Sequence, residues 1–264
     1  SKRSDAFAEE EREVVGQLGE VVGHAIAAVN RKRALMSNEV TELEIRIPQL
    51  LESPDQPAIA EGPVTIERTV PLDGDEYLLY GRTNKAAMAE VEAVAEQLTG
   101  VKAVRRIEER DGQVRFEQHL SNPPVSSTIA EYGGYFESGR IEDGEYVTSV
   151  HLSPGTDIRQ VVSDIQKRYP DAESVSHKQV TRDEQGPGQL QSLLTEKLTD
   201  RQRAALEAGY YGGFFEWPRD RSGEDVAASL GIVASTFHQH VRKAEKKLLD
   251  ALFTETGESH ILGS

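Results

Sequence analysis

No cysteine occurs among the 264 residues. Disulfides and thiolate metal sites are therefore excluded, and the composition suits a reducing, cytoplasmic interior. Long apolar runs are also missing. The longest, such as Ala25–Val29, fall far short of the roughly 20 residues that cross a bilayer. No membrane partner is expected. The polar start, SKRSDAFAEEERE, has no apolar h-region, so no signal peptide is expected; its lack of Met reads as the edge of a fragment.

Chemistry-bearing motifs are absent too. There is no G-x-G-x-x-G after a strand, no G-x-x-x-x-G-K-[ST], no G-x-S-x-G and no H-E-x-x-H. The seven histidines never pair at i,i+4 on a helix, and His238 and His240, two apart, point to different faces. Zinc is not expected. Acidic pairs such as Glu108-Glu109 and Glu142-Asp143 flank hairpin turns and read as solvated rather than catalytic. No enzyme, catalytic residue, metal or cofactor is expected.

Positive charge is in deficit, with 30 Lys+Arg against 45 Asp+Glu and a net charge of −15. The deficit is uneven. Residues 1–194 carry 21 basic and 34 acidic side chains, whereas residues 195–253 carry nine of each. Arginine outnumbers lysine 20 to 10. A dispersed acidic body of this kind suits a high-salt cytoplasm, where its self-repulsion is screened.

What is there suggests an α+β protein in three parts. In residues 1–40, Val15, Leu18, Val22, Ala25 and Val29 alternate in steps of three and four, the a/d seam of a long, coiled-coil-like helix that could pair two chains. Residues 41–185 read as an α+β regulatory domain. Strands are expected at 41–47, 64–70, 76–82, 101–109, 114–120, 144–152 and 172–180, with a hairpin at Asp111-Gly112. Helices are expected at 84–100, capped by Asn84 and ended by Gly100, from about Ser126, and at 155–170, capped by Thr156. Tyr77 and Tyr146 lead similar strand–helix–strand stretches 69 residues apart. That repeat predicts two βαβ-like halves in a mixed sheet with helices on one face. YGGYF and YGGFF read as close packing.

Residues 193–253 predict an all-α helix-turn-helix. Thr199 with Gln202 and Ser222 with Asp225 have capping-box spacing. Phe214, Phe215 and Trp217 are expected to anchor the connector between them. Gly231 ends a short helix in the left-handed region. A last helix starts near Ala234, with Phe237, Val241, Ala244 and Leu248 facing inward. Ser235, Thr236, His238, Gln239 and Arg242 remain outside, the hydroxyl, amide and guanidinium types that read base edges in a major groove. Thr199, Arg201, Gln202, Arg219, Lys243 and Lys246 are the candidate phosphate contacts. Double-stranded DNA is the expected partner, and a homodimer is expected through the N-terminal seam.

LTDRQ, GFFEWPR, DVAASLGI and STFHQHVRKAEKKLL within 198–253 resemble the C-terminal helix-turn-helix of the bacterio-opsin activator family of halophilic archaea. Residues 41–185 resemble the α+β domain preceding it there, and residues 5–40 the closing helix of a GAF sensor domain. The resemblance implies a transcriptional regulator with sensory input upstream. Val233 departs from it: the family usually has serine there, and a valine cannot cap the helix, at a cost of about 1 kcal/mol. Two other functions fit the residues. One is a small-molecule-binding regulator centred on 41–185. The other is an adaptor that uses the helical module to contact the transcription machinery.

Overall fold

Alternating apolar residues build the sheet. In β1 (Glu39–Ile47), Leu43, Ile45 and Ile47 are buried while Glu42, Glu44 and Arg46 between them are half-buried. That is the period of a strand with one fully packed face. The computed structural model describes residues 39–48, 50, 59, 61–98, 100–181 and 197–258. The expected seam at Val15, Leu18, Val22, Ala25 and Val29 lies outside the described residues.

After β1, β2 (Val64–Pro71) and β3 (Glu76–Asn84) form a hairpin, and α1 (Lys85–Gln97) follows. Next come β4 (Val101–Arg110) and β5 (Gln113–Ser121), joined at Asp111-Gly112 with φ of 52 and 75. Two left-handed residues in a row match the twist of the flanking strands. The domain continues through α2 (Pro124–Glu131), β6 (Tyr135–Glu142), β7 (Glu145–Leu152), α3 (Ile158–Gln166) and β8 (Glu173–Thr181).

The eight strands of the described residues lie in one sheet, ordered β4-β5-β3-β2-β6-β7-β1-β8, and every pairing among them is antiparallel. This corrects the mixed sheet expected from the sequence. The crossovers β3–α1–β4 and β7–α3–β8 do join strands running in the same direction, because β3 and β4 both oppose β5 while β7 and β8 both oppose β1. The opposing strand slots between them, so parallel strands never touch. Each half is a split βαβ unit. The halves meet where β2 pairs with β6. Strand β1, first among the described residues, completes the second half as β5 completes the first.

α1, α2 and α3 cover one face. Met88, Val91 and Val94 of α1 pack on Val64, Val114 and Phe116, and Val125, Ile129, Val161 and Ile165 of α2 and α3 pack on Leu43, Ile45 and Leu152. Asn84 caps α1, its side chain accepting from the Ala87 amide at 2.9 Å. Two expected boundaries move. α1 ends at Gln97, with Leu98 turned extended, rather than running on to Gly100. α3 is capped by Asp157, which accepts from the Arg159 and Gln160 amides, while the Thr156 hydroxyl donates back to the Ser153 carbonyl. Strand β6 stands where the sequence suggested only a helix and a glycine–aromatic cluster. Its exposed Glu137, Ser138 and Arg140 blur the alternation. Gly134 before it lets the chain press against β7: a Cβ there would lie 2.6 Å from Leu152 Cδ2 and 2.8 Å from the His151 carbonyl oxygen.

The C-terminal module comprises α4 (Asp200–Tyr211), α5 (Gly223–Ser229) and α6 (Ala234–Glu258). Both capping boxes form. Gly231 takes φ 68, with open space where a Cβ would be. Among the described residues, no helix is long and apolar enough to cross a membrane. The module covers the sheet face opposite α1. Leu78 and Tyr80, alternating with Leu79 on β3, join Val70 in one cluster with Ala205, Ala208, Phe214, Val226, Ala227, Phe237 and Val241. The connector corrects one expectation: Phe214 is buried, but Phe215 and Trp217 are exposed, Trp217 at 94%.

Candidate nucleic-acid interface

α6 is two-sided by its spacing. Phe237 and Val241 are buried in one cluster with residues of α4 and α5, and Ala244 is buried as well. Ser235, His238, Gln239, Arg242, Lys243 and Lys246 line an open groove on the outer side. All six are exposed, and Thr236 is half-buried. The side chains of Gln239, Arg242 and Lys243 make no hydrogen bond or ion pair among the described residues. Lys246 is paired with Asp250 one turn on, at 2.7 Å, an exposed i,i+4 bridge of small energetic weight. Among the described residues, no side chain caps the start of α6. The Val233 carbonyl accepts from the Thr236 and Phe237 amides, but its side chain, 67% exposed, accepts nothing.

The rim of this face is braced from below. Phe214 sits edge-on to Phe237 with centroids 5.2 Å apart, beside His238 at 5.7 Å, and under the Arg219 guanidinium at 4.6 Å. The His238 ring also closes on α5: a Cβ on Gly223 would come 2.6 Å from its Nε2. His238 and Arg219 are thus held by an aromatic bed while staying exposed, so little side-chain freedom is left to lose on binding. On the neighbouring side, burial first, and then the positive charges of Lys243 and Arg201, hold the His240 imidazole below its usual pKa. Arg201 and Lys243 are thus both near enough to His240 to act on its charge. Arg201 also reaches Asp73 of the sheet domain, at 3.3 Å.

One expected phosphate contact is corrected. Gln202 is buried, and its Oε1 accepts both from the Thr199 amide, at 3.2 Å, and from Lys247 Nζ, at 2.9 Å. It closes the capping box and pins α6 to the start of α4, so a phosphate has no approach to it. Thr199 remains exposed, its hydroxyl accepting from the Gln202 amide.

The residues that seat the module on the sheet escaped sequence reading. Glu117 of β5 is 3% exposed, and Arg221, just before the Ser222 cap, is 9% exposed. Glu117 accepts from Arg221 Nη1 at 2.8 Å, the Ser229 hydroxyl at 2.6 Å and the Tyr80 hydroxyl at 2.8 Å. Burial, then the Glu117 charge, pushes the Tyr80 phenol well above its ordinary pKa, so it stays a donor. Arg221 Nη2 donates to the Asp225 carbonyl and to Ser229 Oγ. Around this core, Arg115 donates to the Tyr211 carbonyl at 2.8 Å, Arg105 to Ser229 at 3.3 Å, and Arg68 to Glu207. In VRFEQHL the alternation of Val114 and Phe116 with Arg115 and Glu117 reads as one packed and one wet face. Only the partner segment, a hundred residues further on, reveals that both faces are covered.

A short helix, a glycine turn and a second helix with its polar side bare define a helix-turn-helix module, here seated on an antiparallel α+β sheet. The chain belongs to the family of the BAT domain, the GAF and HTH_10 associated domain, which matches residues 38–192. The HTH_10 family, an HTH DNA binding domain, matches residues 198–250. A Haloferax volcanii protein named as a transcriptional regulator is 29% identical over 261 residues, covering 97% of this chain and 44% of that protein. The bacterioopsin transcriptional activator of Halobacterium salinarum is 32% identical over 169 residues, 62% of this chain and 25% of the activator. The transcriptional regulator NarO of Haloferax volcanii is 33% identical over 111 residues, 41% of this chain and 51% of NarO. The chain therefore spans between a quarter and about half of the length of these relatives.

Proposed function

We propose that this chain is a sequence-specific DNA-binding transcriptional regulator. The observation that carries the reading is the bare outer row of α6, with Ser235, His238, Gln239 and Arg242 in one groove while Phe237, Val241 and Ala244 are buried behind it. Gln239 can address adenine and Arg242 guanine or a phosphate; Ser235, Thr236 and His238 supply shorter hydrogen-bonding groups. Thr199, Arg201, Arg219, Lys243 and Lys246 flank the row and take phosphates. The match to an HTH DNA binding domain and relatives named as transcriptional regulators and activators support the same reading.

Residues 1–40 pair two chains through Val15, Leu18, Val22, Ala25 and Val29, and the α+β domain relays a signal to the module. Two modules then address two half-sites. Nine basic and nine acidic side chains in 195–253 give little counterion release. Affinity leans on base contacts and shape, which survive in concentrated salt.

Selection of bound duplexes from random DNA, run at low and at high salt, tests this. A repeated half-site enriched at both salts is the expected result. Recovery of no sequence at either salt would contradict it.

A further inference from the structure

The sheet holds both ends of the helix that supports α6 with a single carboxylate. α5 has seven residues. Arg221 precedes its cap and Ser229 is its last residue, and both bond to Glu117 of β5, at 2.8 and 2.6 Å. A helix fixed at one end can swing; fixed at both ends, it keeps its direction. α5 passes that direction on: Val226 and Ala227 pack in the same cluster as Phe237 and Val241 of α6. β5 is itself held from behind, since Val114 and Phe116 on its other face pack under α1.

We infer that Glu117 is a positioning residue for DNA binding, acting through Arg221 and Ser229 to fix the angle at which α6 leaves the sheet. The chemistry favours this over a role in stability alone. A buried ion pair contributes little net stability, because desolvation offsets the attraction. Its geometric demand is strict, however: the carboxylate meets three donors at 2.6–2.8 Å, and the guanidinium is shared among Glu117, Ser229 and the Asp225 carbonyl. An apolar contact would tolerate sliding, whereas this set satisfies all its members in one orientation. The second half of the sheet makes the contrast. The pairing Tyr80↔Glu117 corresponds under the internal repeat to Ser149↔Glu44, and among the described residues no helix packs over Glu44 and its side chain has no hydrogen-bond or ion-pair partner.

The inference rests on the DNA-binding reading for its consequence but not for its geometry, so the two are tested apart. Spin labels are placed at Ser174→Cys on β8 and Glu245→Cys on α6, both exposed, in a chain without native cysteine. Pulsed-dipolar distances are recorded for the parent, for Glu117→Gln, and for Glu117→Gln/Arg221→Met, which removes both charges and so avoids a stranded buried guanidinium. Unlabelled proteins with the same Glu117 and Arg221 substitutions are titrated with a duplex selected by the parent. The expected result is one narrow distance peak in the parent, a broadened or displaced one in both variants, and affinity lower by about tenfold in the double variant at unchanged helical content. A parent-like peak in the double variant would overturn the inference, as would a broadened peak with parent affinity. Failure of the parent to bind any duplex would instead sink the DNA-binding reading and leave the distance result standing.

Discussion

Asp164 on α3 shows how far one side chain can be tuned on an acidic surface. The Lys167 ammonium at 2.6 Å, followed by the Tyr132 hydroxyl, holds its carboxyl down at about 2, against 3.8 for a free group. A pKa lowered in the folded state favours the fold above the unfolded value. The contribution is whole above about pH 4 and fades as pH falls toward 2. Asp164→Asn is expected to flatten that part of the stability curve, measured by urea unfolding between pH 2 and 5; an unchanged curve would refute the assignment. Residue-scale chemistry of this kind was only partly legible in the sequence. Asn84, Thr199 and Ser222 declared themselves as caps because a cap needs only local spacing. Gln202 did not declare its burial, because Lys247 reaches it from 45 residues away.

At the scale of elements, the C-terminal helices were read well because their signals are local: two capping boxes, one glycine at φ 68 and a 4-3-4 apolar stripe. Strand β6 was not, because its buried contacts come from β7 and β2 rather than from its own alternation. The fully antiparallel pairing is hidden from the sequence for the same reason. Which strand slots between β3 and β4 is decided by pairing across the fold, and β1 reaches its place from the far end of the chain. Val233 offers an element-scale test. Its exposed side chain stands where α6 lacks a cap. Val233→Ser should stabilise the protein by about 1 kcal/mol in denaturant unfolding, as a hydroxyl takes up a free amide. A loss of stability would show that the first turn of α6 is not free to accept one.

On the scale of the whole molecule, charge and docking work together. The body carries the net negative charge, while the module is balanced and lines one groove with Arg242, Lys243 and Lys246. A duplex approaching elsewhere meets repulsion that reaches about 10 Å at moderate salt, and less in brine. Among the described residues, the sheet domain covers the inner side of the module and leaves bare the outer row of α6, the face proposed for DNA. None of this docking is local, which is why the sequence shows a module and a domain but not their joint.

The most direct measurement is the affinity of the Gln239→Ala/Arg242→Ala variant for a duplex selected by the parent protein. Base contacts are each worth about 1–3 kcal/mol, so a loss of roughly a hundredfold is expected with the fold intact by circular dichroism. An affinity within about twofold of the parent, for the same duplex, would show that the outer row of α6 does not read DNA.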